Sequence, residues 1–129
     1  MLASRSPHEA YRRVDFDARV EGADPAQLVV MCYEQLVGAL GSALFAHERR
    51  DNMLKSQSLT RGLSAITALR LGIVGDEGIA VALRQLYEAT RRSILDSALN
   101  FDPEIIARMR EDFVEICRAM AQASAAQRT

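Results

Sequence analysis

The stretch Asp24-Pro25-Ala26-Gln27-Leu28-Val29-Val30-Met31-Cys32-Tyr33 decides the fold. Asp24 offers a side-chain oxygen to the amides that a helix start leaves without partners, and Pro25 brings a φ that is already helical. Six consecutive non-polar or aromatic residues follow, Leu28 to Tyr33, enough to cover nearly the whole circumference of a turn. A surface helix carries a single apolar stripe, so a helix start that is apolar all round has to be covered on more than one side. The stretch therefore predicts a helix buried among other helices, with a further apolar partner on its outer flank.

Three more helical segments lie downstream. The first helix is expected over about residues 25–47, with Val29, Cys32, Tyr33, Leu36, Leu40 and Leu44 on its inner face. Arg49-Arg50-Asp51-Asn52 is a polar break whose basic residues suit a helix C-terminus. A second helix over about 53–71 carries Leu59, Leu63, Ile66 and Leu69 in its stripe, followed by Ile73, and the glycines between 72 and 78 close it. A third, over about 79–100, sets Ile79, Leu83, Leu86, Tyr87, Thr90 and Ile94 on one side. Asp102-Pro103-Glu104 then repeats the device of Asp24-Pro25 and opens a fourth helix over about 103–122, with Ile105, Ile106, Met109, Phe113, Ile116, Cys117 and Met120 inward. Short connections make sequential helices antiparallel, so the fold class is all-α, an up-down four-helix bundle. Residues 1–23 form an N-terminal segment, docked or flexible, in which Tyr11, Val14, Phe16 and Val20 are isolated apolar anchors; 24–122 form the bundle, and 123–129 a fraying tail.

Composition narrows the function. A chain of 129 residues is one domain with enough core to fold unaided, and 49 % hydrophobic against 26 % charged residues is ordinary for a globular protein. A net charge of −1 gives no footprint for nucleic acid, and Arg12-Arg13, Arg49-Arg50 and Arg91-Arg92 read as solvated pairs. Residues 1–20 are too charged for a signal peptide, and no window is expected to span a membrane. Cys32 and Cys117 sit in apolar helical patterns and read as reduced, buried thiols. These features predict a cytoplasmic protein.

The residues that catalysis or metal binding would need are missing. His8 and His47 are the only imidazoles; the residues three before them are Arg5 and Leu44, so the Glu-x-x-His repeats of a di-iron bundle are absent. No zinc spacing and no phosphate-binding glycine loop occurs. His47 falls at a helix end beside Glu48, a poor place for a phosphate acceptor and a good one for a solvated imidazole. Arg84, Glu88 and Arg91 share a face of the third helix, as any solvated face would have it. The reading is no enzyme, no cofactor and no metal.

Some apolar residues exceed what the core needs. On a 100° wheel Met31 lies opposite the inner face of the first helix, with Gly38, Gly41 and Phe45 on the same side. Val81, Leu95 and Leu99 fall opposite the inner face of the third. Partial cover by the N-terminal segment and loops is one reading of these rows; a partner helix is the other, since it uses anchors at i, i+3/4 and i+7, and Leu95 with Leu99 is an i, i+4 pair.

The order and spacing of these pieces resemble the flagellin-specific export chaperones of the FliS family. That family carries an Ala-Tyr near its N-terminus, a Val-x-Thr-Ala-Ser/Thr-Pro entry and a first helix reading Leu-x-Leu-Met-Leu-Tyr-Asp-Gly. Here Ala10-Tyr11, Val20-Glu21-Gly22-Ala23-Asp24-Pro25 and Leu28-Val29-Val30-Met31-Cys32-Tyr33-Glu34-Gln35 follow that order. Ile79-Ala80 with Leu83, Leu86 and Tyr87 is similar to the family's Ile-Ala-x-x-Leu-x-x-Leu-Tyr-Asp. Gly22 replaces the usual Thr, Gln35 the usual Gly and Ala98 an Asn, and the customary C-terminal Trp is missing.

The resemblance implies a cytoplasmic chaperone for the C-terminal segment of flagellin that prevents early polymerisation and supports type III export. An export-gate component is then a second partner, with neither nucleic-acid binding nor membrane insertion. Tyr11, Met31 and Tyr33 are partner-binding residues by match to the family; Leu95 and Leu99 come from the wheel alone. The alternative is a related helical secretion chaperone or adaptor serving a different client.

Overall fold

The computed structural model describes Gly22 and residues 24–127. Among the described residues there are four helices, α1 (Pro25–Glu48), α2 (Asn52–Leu71), α3 (Ile79–Ser97) and α4 (Pro103–Gln127), and no strand. Tyr11 and the expected N-terminal segment lie outside the described residues, apart from Gly22.

Three of the four helix starts are held by aspartates. The Gln27 amide donates to Asp24 Oδ1 at 2.8 Å while the Asp24 amide donates to Gln27 Oε1 at 3.0 Å, a reciprocal capping box. Asp51 accepts from the Leu54 amide at 3.0 Å, and Asp102 from that of Glu104 at 3.0 Å. α3 starts instead at Gly78, whose φ of 60° and ψ of −127° only glycine adopts without strain.

Contacts run in opposite directions along each sequential pair. On α1 and α2, Lys55 meets His47, Ser58 donates to Ser42 at 2.8 Å, and Gly62 approaches Leu36 and Ala39. On α2 and α3, Gly62 meets Ile94 and Arg70 pairs with Glu88 at 2.9 Å. α4 returns along α1, from Phe101 against His47, through Arg110 over Gly41, to Phe113 against Tyr33. The topology is up-down-up-down, with α1 between α2 and α4 and α3 packed on α2. Tyr33, Leu36, Leu40, Leu59, Ile66, Tyr87, Ile94, Ile106 and Phe113 form the centre of the core.

Several expectations are corrected. α3 ends at Ser97 rather than near Asn100, because the Ala98 and Leu99 amides tighten to i−3 carbonyls ahead of the Asp102-Pro103 start. α4 continues past Gln122 to Gln127, through Ala123, Ala125 and Ala126, the best helix-forming residue type. Ile79, Leu86, Ile105 and Met120, expected inside, are exposed at helix ends and edges. α1 is also long and apolar enough to cross a membrane by length and composition, with an 18-residue window of mean hydropathy 1.6. Seven of its residues are buried in the bundle, so the same apolar content fills the core.

Candidate functional site

All four helices line one cleft of about 1310 Å³. It gathers the N-terminal turns of α1 (Leu28, Val29, Cys32) and α3 (Ile79, Leu83), the end of α2 with Ile73 and Val74, and Ile116 and Met120 late in α4. The antiparallel topology brings these stretches to one end of the bundle. Along the first part of α2 the lining turns polar, with Ser56, Gln57, Thr60, Arg61 and Ser64. Arg61 Nη2 donates to Ser58 Oγ at 3.3 Å, and Ser58 in turn donates to Ser42 of α1. The walls therefore suit an amphipathic occupant. The volume exceeds the roughly 300–1,000 Å³ of small-molecule pockets.

Tyr33 of α1 and Tyr87 of α3 both line this cleft and join through their hydroxyls in a hydrogen bond. Their rings meet edge-on, with centroids 6.3 Å apart, and Phe113 backs Tyr33 at 5.9 Å. Tyr33 is 1 % exposed and Tyr87 3 %. Burial pushes the Tyr33 phenol well above the ordinary tyrosine range, with its bond to Tyr87 acting the same way, and burial also raises Tyr87. Burial raises both thiols as well, and the carboxylate of Glu34 adds to the effect at Cys117. Protonated thiols are poor nucleophiles, so the geometry supplies binding surface rather than reactive groups. Among the described residues no group of three or more His, Cys, Asp or Glu is placed to hold a metal ion.

The cleft brings together only part of what the sequence singled out. Tyr33 forms part of its lining, as a core residue. Met31 does not belong to the outer strip where the wheel put it: it is 5 % exposed. Ser42, eleven residues or about three turns further on, bonds to Ser58 of α2, so this flank of α1 turns toward its neighbour. Gly41 is likewise covered, by Arg110 of α4, which leaves Gly38 and Phe45 exposed on that side. Leu95 and Leu99 are exposed as expected, at 42 % and 89 %, but neither lines the cleft, and both sit at the end of the bundle away from its apolar part.

Two elements of the cleft escape a residue-by-residue reading. Ser56, Thr60 and Ser64 repeat every four residues, a polar stripe beside the apolar one that marks α2 as a wall. The tyrosine pair had a weaker signal: two tyrosines at core positions whose hydroxyls would need partners once buried.

Comparison with known proteins adds a family. The profile of the family described as flagellar protein FliS matches residues 7–127. The chain is also 26 % identical over 121 residues to the flagellar secretion chaperone FliS of Vibrio cholerae serotype O1 (strain ATCC 39315 / El Tor Inaba N16961), covering 92 % of this chain and 86 % of that protein.

Proposed function

The chain belongs to the FliS family of flagellar proteins, and we propose on that footing that it is a cytoplasmic flagellar secretion chaperone whose client is the C-terminal segment of flagellin. Bound in the cleft, that segment is kept from polymerising early and is delivered to a component of the type III export gate. The observation that carries this reading is the cleft itself: largely apolar on α1, α3, α4 and the end of α2, polar along the first part of α2, and too large for a small metabolite. A flagellin terminus is amphipathic and prone to helix, and buries its apolar face only against other subunits. A helical scaffold with an amphipathic cleft replaces those subunits, and the entropy lost on ordering the client lowers net affinity so that release remains feasible. Leu95 and Leu99, outside the lining and away from the apolar part of the cleft, offer a second contact to a client that continues past it.

The test uses a synthetic peptide of the C-terminal segment of the flagellin encoded in the same genome, titrated into the full chain by calorimetry. Ile79 and Val74 line the cleft yet are largely solvent-exposed, so Ile79→Glu with Val74→Glu leaves the fold intact. The expected result is 1:1 binding to the wild type and a loss of tenfold or more in the variant. A wild type that ignores the peptide overturns the flagellin reading, and recovery of another flagellar protein from the cytosolic complex then points to a different client. Equal binding by wild type and variant removes the cleft as the site.

A further inference from the structure

The hydroxyls of Tyr33 and Tyr87 share one hydrogen bond at the wall of the cleft, with both residues almost wholly out of water. Each tyrosine hydroxyl carries one proton and also accepts. Whichever tyrosine donates, the pair uses one proton and retains a second. That second O–H donates to no other group among the described residues. A buried donor without an acceptor is costly, and native structures rarely leave one so. Both phenols are held protonated by their burial, so the surplus donor persists at any physiological pH.

Resting on the reading of the cleft as the client site, we propose that the bound segment presents one hydrogen-bond acceptor to the Tyr33–Tyr87 pair, and that this contact sets the segment's register in an otherwise apolar part of the cleft. Apolar contact tolerates sliding, because one methyl replaces another at little cost. A single buried donor does not: a segment shifted by one residue leaves it unmet. In a helical segment the main-chain carbonyls are used internally except in the last turn. The acceptor is therefore a side-chain oxygen of Asn, Gln, Asp or Glu within the apolar face, or a carbonyl at the segment's helical end.

The test compares the flagellin C-terminal peptide against wild type, Tyr33→Phe, Tyr87→Phe and the double variant by calorimetry. Each single variant keeps one phenol proton for the client and is expected within about threefold of wild type. The double variant keeps none and is expected to bind about tenfold more weakly, in line with the loss of one buried hydrogen bond. Replacing both partners by rings of the same shape leaves no orphan, so the double variant stays folded. As a second arm, each Asn, Gln, Asp and Glu of the peptide is replaced in turn by Leu or Met. One replacement is expected to weaken binding to wild type but not to the double variant, the signature of direct coupling. A peptide that binds wild type and double variant equally overturns the inference while leaving the cleft as the client site. A wild type that binds no peptide overturns the reading and the inference together.

Discussion

Arg110 of α4 lies across Gly41 of α1 so closely that a Cβ built on the glycine would stand 3.0 Å from the arginine Nε. Gly38, one turn earlier, has nothing within 4 Å of the same construction. The two helical glycines thus separate propensity from packing. Gly38→Ala should stabilise the protein by about 0.5–1 kcal/mol, the helical advantage of alanine. Gly41→Ala carries the same advantage but makes Arg110 retreat by a few tenths of an ångström, so its gain should be smaller. Thermal and urea unfolding of both variants checks the order, and a larger gain at Gly41 would contradict the contact.

Removing the cap of α1 tests how firmly the opening turn is held. Asp24→Ala deletes the acceptor for the Gln27 amide and leaves the Gln27 side chain with half of its reciprocal pair. The expected cost is about 1 kcal/mol, and Asp24→Asn should recover most of it because Asn caps comparably. Urea midpoints of the two variants decide.

Leu95→Asp with Leu99→Asp probes the far end of the bundle. Both residues are exposed and Leu99 lies beyond the end of α3, so the unfolding midpoint should barely move. Client affinity should fall several-fold if the segment reaches this end. Unchanged affinity would confine the client to the cleft.

The tyrosine pair gives the fold an alkaline limit. The folded-state pKa of Tyr33 is raised above that of an unfolded tyrosine, about 10. A native state that holds more protons than the unfolded chain loses stability as pH rises. The contribution of this pair is therefore intact below about pH 10 and is lost above it, and the raised thiols of Cys32 and Cys117 start the decline from about pH 9. Denaturant unfolding at pH 7, 9 and 10.5 should show this fall, and Tyr33→Phe with Tyr87→Phe should flatten its upper part.

Much of the fold was legible because its signals are local. Asp24-Pro25 and Asp102-Pro103 mark two helix starts by chemistry that needs no tertiary context, and the structure starts α1 and α4 there. Periodicity also found Leu36, Leu40, Ile66 and Ile94, because a position central in its stripe is buried whatever the neighbours' tilt. It failed at the margins. Met31 is covered because α1 has neighbours on two flanks, whereas a wheel drawn for one helix allows it a single inner face. Ile79 fails in the opposite sense: it faces inward on the wheel but lies at a helix start where little remains to cover it. The cleft was less legible than the core, since its lining mixes four separate stretches of chain and only their antiparallel assembly makes them adjacent.

The placement of α1 between α2 and α4 also sets an order of events during synthesis. α2 follows α1 at once and can close one of its flanks while the ribosome is still translating. The other flank, with Tyr33 and Gly41, waits for Phe113 and Arg110, which are translated more than sixty residues later. Until they emerge, the most apolar of the four described helices stays half uncovered. A nascent chain halted before α4 is then itself an aggregation-prone polypeptide, needing the same protection that the finished protein extends to its client.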